Sequence, residues 1–346
     1  MINKCDFLDS EYPIIQSPMA GVQDYELALA VSKGGGLGSL PCAMLSHTEL
    51  AQQLDNISAQ TNKPINLNFF CHQLPTIDTN ASRKWQHILR PYFDELGLTP
   101  DLVTQTPQRV PFSHDIADVI EAYKPKIMSF HFGLPEKTLL SRVKSWGTKI
   151  LCTATTIEEA KWLEANGVDA IIIQGLEAGG HRGSFLTKAT DTQTDTFSLL
   201  SQALTQTKLP LIAAGGIASE KDVYRAIELG ASAVQIGTTY LLCTESKASN
   251  IHKNAILKEH KTILTNVISG RLARGIPNRL VNEIGPINDN ALAFPNASTL
   301  IAALKNKAEQ QGLNDFSTLW CGENTSGCRE ISATQLTREL AKQLSF

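Results

Sequence analysis

Along this chain, short apolar runs alternate with segments whose apolar residues recur at helical spacing. That is the pattern of parallel strands joined by crossover helices. The runs are Pro13–Gln16, Leu37–Leu40, Ile65–Phe70, Lys126–Phe130, Lys149–Thr153, Ala170–Gln174, Leu209–Ala214 and Ala233–Ile236. Between them, Tyr25–Lys33, Thr48–Asn62, Ile116–Tyr123 and Lys137–Ser145 read as helices, and so does a stretch capped by Thr156 that ends before Gly167. Ser219 to Asp222 starts another, stopped at Gly230. Eight strands in alternation with helices predict a (β/α)8 TIM barrel, because a doubly wound sheet usually shows fewer.

Two stretches break the alternation. Residues 71–113 are polar, carry prolines 75, 91, 100 and 107 and one helix near Ala81–Leu96, and read as an insertion over the strand ends. Residues 243–325 read as a small helical cap over the barrel mouth, with helices in Ser246–Leu264 and Ala297–Gln311 and two arginines, Arg271 and Arg274, at helical spacing. The barrel is thus expected to occupy residues 1–242. In 326–346, a last helix from Thr334 to Leu344 is expected to pack on it.

Barrels of this kind place chemistry at the C-terminal ends of their strands. Here the sixth strand runs into Gln174-Gly175-Leu176-Glu177-Ala178-Gly179-Gly180-His181-Arg182-Gly183, a glycine-rich loop that can lie close to a ligand and delivers an ionisable side chain. The fourth ends at His131, the third carries Asn68, and the first opens into Pro18-Met19-Ala20. The seventh and eighth deliver Gly215-Gly216 and Gln235-Ile236-Gly237-Thr238, where this fold commonly binds phosphate through backbone N–H groups. Amide side chains and backbone outnumber charges in this set, and no lysine sits at a strand end to form a Schiff base. The set suits a neutral heteroaromatic ring with a phosphate tail, and flavin mononucleotide (FMN) more readily than pyridoxal phosphate or a sugar phosphate.

Composition narrows the classes. A net charge of -3 with scattered Lys and Arg disfavours nucleic acid as a partner. Seven dispersed cysteines without a Cys-x-x-Cys pair indicate neither a disulfide framework nor a metal site. No apolar run is long enough for a signal peptide or a membrane span, so a cytoplasmic protein is expected.

The same stretches resemble the nitronate monooxygenases, formerly called 2-nitropropane dioxygenases, and their class I in particular. The resemblance rests on Gln16-Ser17-Pro18-Met19-Ala20-Gly21, Ser129-Phe130-His131-Phe132-Gly133, Cys152-Thr153-Ala154-Thr155-Thr156, the loop from Gln174 to Gly183, Ala213-Ala214-Gly215-Gly216-Ile217, Gln235-Ile236-Gly237-Thr238 and Ser269-Gly270-Arg271-Leu272-Ala273-Arg274-Gly275. It implies an FMN-binding barrel with a helical cap that oxidises alkyl nitronates, such as propionate 3-nitronate, with O2 to a carbonyl compound and nitrite through an anionic flavosemiquinone. It implies that His181 is the catalytic base or polar group and that His131 is a second donor to the nitro oxygens. Pro18, Met19, Ala20, Asn68, Gln174, Gly179, Gly180, Gly215, Gly216, Gln235, Ile236, Gly237 and Thr238 would bind the cofactor, and an oligomer is possible. The chain departs from the family's pattern at Trp320-Cys321-Gly322-Glu323, where Gln usually ends the motif, and at Phe294, where Tyr is frequent. The competing readings are an FMN- and NAD(P)H-dependent enoyl-acyl-carrier-protein reductase, which shares a similar loop, and a flavin-binding barrel without catalysis.

Overall fold

A computed structural model describes residues 7–76, 78–100, 109–187, 193–258 and 261–344. Cys5, and Pro107 of the expected insertion, lie outside the described residues. The strands, in chain order, are β1 (Ile14–Gln16), β2 (Ser39–Pro41), β3 (Asn66–Phe70), β4 (Ile127–His131), β5 (Lys149–Ala154), β6 (Ala170–Gln174), β7 (Gly180–His181), β8 (Leu211–Ala214), β9 (Ala233–Ile236), β10 (Ile263–Thr265) and β11 (Ala273–Gly275).

Eight of them form one parallel sheet in the order β1-β9-β8-β6-β5-β4-β3-β2. A parallel bridge between Ile15 and Leu37 brings its two ends together, with Leu37 N donating to Ile14 O at 2.8 Å and Gln16 N to Leu37 O at 2.9 Å. The sheet therefore closes into the expected barrel. Both faces of each strand are buried, which explains the unbroken apolar runs. In β6, Ala170 and Ile172 fill the barrel interior with Ile15, Ile127, Leu151 and Ile212, while Ile171 and Ile173 face the surrounding helices. Each leucine or isoleucine among them contributes about 1.5–3 kcal/mol when fully buried.

Helix starts follow the sequence. Thr156 caps helix Ile157–Ala165 by accepting from Glu159 N. The Glu159 carboxylate is itself buried, and it accepts from Thr155 N, Thr155 Oγ1, Phe185 N and Leu186 N at 2.6–3.1 Å. That helix is thereby tied to the chain just beyond His181.

The segments outside the barrel differ from expectation in several respects. A second sheet, in the order β10-β11-β7, pairs His181 with Ala273 and Gly180 with Arg274. Of the stretch expected to be helical, Ser246–Leu264, Asn250–Lys258 is helix and Ile263–Thr265 is strand, and Arg271 lies in a bend and Arg274 on β11 rather than on a helix. Strands of two or three residues are too short to show a periodicity, so the pattern could not distinguish them. Helix Thr79–Glu95 packs Trp85, Leu89 and Phe93 against Leu300, Leu304 and Phe316, so the inserted helix shares one core with helix Ala297–Gln310. Helix Ala333–Leu340 packs on helix Tyr25–Lys33, and Tyr240 Oη and Thr337 Oγ1 share a hydrogen bond of 2.9 Å. Among the described residues no helix is long and apolar enough to cross a membrane.

Candidate active site

The loop after β6 is fixed from within. The Gln174 amide accepts from Gly183 N at 2.8 Å and donates to His181 O at 3.1 Å, pinning both ends of the loop together. Arg182, fully buried, donates to Gln174 O at 2.9 Å, to Gly175 O and to Gln193 Oε1. Burial lowers its pKa to about 10, which leaves it charged at neutral pH. Gly179 has no room for a side chain, because a Cβ there would stand 2.4 Å from Gly322 N. The segment 321–324 thus lies against the loop, with Glu323 N donating to Glu177 O at 3.0 Å.

His181 projects from β7. Its Nε2 lies 2.9 Å from Ser269 Oγ, which itself donates to Arg271 O at 3.2 Å. A hydroxyl has one hydrogen, so Ser269 accepts from the imidazole and Nε2 carries the proton. Nδ1 is then unprotonated, and no hydrogen bond engages it among the described residues. The rings of Phe294, Trp320, Phe132 and Phe70 stand 5.2, 5.4, 6.1 and 6.3 Å away. Burial, then the charges of Arg109 and its neighbours, holds the His181 pKa well below the ordinary 6.5. The imidazole is therefore neutral at neutral pH.

His131 is engaged on both sides. Nε2 donates to the carbonyl of His181 at 3.2 Å, and Nδ1 accepts from Thr153 Oγ1 at 3.0 Å. Burial and Arg271 push its pKa down to about 3. The expected donor to substrate has both nitrogens committed to protein in this arrangement, where they brace the backbone that carries His181.

All the residues singled out from the strand ends meet at one cavity of about 270 Å³. A single water needs about 10–15 Å³, so the space is that of a large ligand. Pro18, Met19 and Ala20 line it from the β1 loop, Asn68 and His131 from β3 and β4, and Gln174, Gly179, Gly180 and His181 from the β6–β7 stretch. Gly215, Gly216, Gln235, Ile236, Gly237 and Thr238 complete the wall. Asn68 is turned toward β4, donating to Ser129 Oγ at 2.9 Å. Gln235 Oε1 is buried with no hydrogen-bond partner.

Sequence reasoning missed Arg109, Lys305 and His252, which also line the cavity. None stands at a barrel strand end, and only the tertiary fold brings them to the cavity. Ser269 belongs to the stretch Ser269–Gly275, but its bond to His181 is a tertiary fact.

A family model described as "Nitronate monooxygenase" matches residues 2–343. The chain belongs to the nitronate monooxygenase family. It is accordingly a flavin-dependent oxidoreductase. A nitronate monooxygenase from Pseudomonas aeruginosa is 36% identical over 97% of both chains. Among solved structures, a nitroalkane oxidase from Streptomyces ansochromogenes superposes with a TM-score of 0.88 at 32% identity, covering 98% of this chain and 97% of that one. FabK from Thermotoga maritima follows at a TM-score of 0.74 and 25% identity, covering 99% and 95%.

Within the nitronate monooxygenase pattern, the two departures have local explanations. Glu323 pairs with Arg274 at 2.9 Å, and Arg274 also donates to Leu176 O at 2.7 Å. The extra carboxylate is thus neutralised at the outside of the loop and does not line the cavity. Phe294 supplies the aromatic ring nearest His181 among the four described above, without a hydroxyl.

Proposed function

We propose that this protein is an FMN-dependent nitronate monooxygenase that oxidises alkyl nitronates, propionate 3-nitronate among them, with O2 to a carbonyl compound and nitrite. The observation that carries this reading is that one cavity joins His181 to the glycine loops after β8 and β9.

The residues fit FMN. The orphaned Gln235 Oε1 needs a donor from a ligand, and a flavin ring edge offers one. Gly216, with φ at 69°, together with Gly237 and Thr238 would hold the phosphate, at the barrel position where that group is commonly bound. Pro18, Met19 and Ala20 would lie along the ring, with Asn68 and Gln174 near its polar edge. When bound, FMN supplies the capacity to take electrons one at a time from a nitronate and pass them to O2.

The rest is done by the chain. Phe70, Phe132, Phe294 and Trp320 exclude water from around His181 and strengthen every electrostatic contact there. The unprotonated Nδ1 of His181 is the atom that would take the α-proton of a neutral nitroalkane, and an anion bound beside it would raise its affinity for a proton. Burial, which holds its pKa well below 6.5, makes it a weak base. That weakness favours nitronates, which arrive already deprotonated, over nitroalkanes.

An oxygen electrode with the flavin-replete protein tests the reading. Propionate 3-nitronate should drive O2 uptake with release of nitrite and without any pyridine nucleotide. No uptake with any nitronate would favour a barrel that binds flavin without catalysis.

A further inference from the structure

Arg109, partly exposed, differs from the buried arginines near the site. Arg182 spends its donors on three protein acceptors, and Arg274 is paired with Glu323. Arg109 lines the cavity, yet the one described hydrogen bond of its guanidinium is a long one, 3.4 Å to Ser298 Oγ. Its guanidinium lies 5.7 Å from the Phe294 centroid, and no ion pair joins it to a carboxylate among the described residues. A guanidinium has five N–H donors, so Arg109 keeps most of them available to a ligand in the cavity. Lys305 lines the same cavity, so a second cation faces the same space.

Phe294 relates Arg109 to His181. Its ring is 5.2 Å from the imidazole, and the guanidinium approaches the same ring. A ligand that spans the two meets the polar group of His181 at one end, an apolar wall in the middle and an unpaired cation at the other.

We propose that Arg109 is a specificity-determining residue that binds a second anionic group on the substrate, a carboxylate a short alkyl chain away from the nitronate carbon. The inference rests on the nitronate reading above and names the residue that sets the preference within it. A carboxylate can accept two parallel bonds from the guanidinium, an arrangement a neutral alkyl end cannot replace.

The test compares KM for propionate 3-nitronate and for propyl-1-nitronate in the holoenzyme. The wild type should show the lower KM for the carboxylated substrate. Arg109→Gln should shrink that ratio about 10–100-fold, the scale of a lost charge-assisted bond, and Arg109→Lys should restore part of it. A wild type with equal KM for the two nitronates overturns the assignment whether or not the variant folds, and so does a ratio unchanged in Arg109→Gln. Turnover of both with equal KM leaves the nitronate reading standing, whereas turnover of neither removes that reading and the role of Arg109 with it.

Discussion

The imidazole of His131 donates to the backbone carbonyl of His181, at 3.2 Å, and Gln174 donates to the same oxygen at 3.1 Å. One carbonyl thus anchors the reactive histidine to two barrel strands. His131→Phe removes the first anchor and leaves the second. The variant should keep its flavin and lose about tenfold in kcat, because a small misplacement of a reacting group is costly, while KM for nitronates changes little. A KM that rises with kcat intact would instead return His131 to the role of a substrate ligand.

His181→Asn tests the base itself. Turnover of neutral nitroalkanes should fall by about 10²–10⁴-fold, the scale of a lost acid–base group. With pre-formed nitronate the loss should be much smaller, since no proton has to be removed. Equal losses on both substrates would show that His181 acts on the anion rather than on its formation.

Buried neutral histidines make the fold acid-sensitive. His131 is held near 3, and His72 and His252 near 4, each chiefly by burial. The unfolded chain takes up protons on these groups near pH 6.5 and the folded one does not, so stability is complete above about 6.5 and declines as pH falls toward 4. Each group contributes up to about 1.4 kcal/mol per pH unit across that window. Thermal unfolding should therefore show Tm dropping between pH 7 and pH 5, and a Tm flat over that range would mean that these side chains are hydrated.

Glu323→Gln removes a pair whose carboxylate is half exposed, with 49% of its side chain accessible. Its partner Arg274 is only 9% exposed, so the variant leaves a buried cation short of an acceptor and should lose about 1–3 kcal/mol of stability. Flavin content after dialysis should match the wild type, because Arg274 keeps its bond to Leu176 O. A marked gain in flavin retention would mean that the carboxylate repels the phosphate.

The barrel was legible because each strand is buried on both faces and its apolar run is bounded by glycine or proline. Every strand-end residue picked on that basis, from Pro18 to Thr238, lies at the cavity. What escaped was long-range. His181 sits on a two-residue strand whose partner, Ala273, is 92 positions away by their numbers, and nothing local to either announces the pairing. Arg109 and Lys305 reach the rim from segments without barrel periodicity. Arg182, unassigned by its spacing, is a fully buried brace whose three acceptors only the folded loop assembles.

The most direct measurement is anaerobic. The flavin band of the holoenzyme is followed while propionate 3-nitronate is added to one sample and NADPH or NADH to another. The nitronate should perturb the band and the pyridine nucleotides should leave it unchanged. Bleaching by NADH or NADPH, with no response to nitronate, would contradict the proposed function and assign the same cavity to a pyridine-nucleotide-dependent reductase.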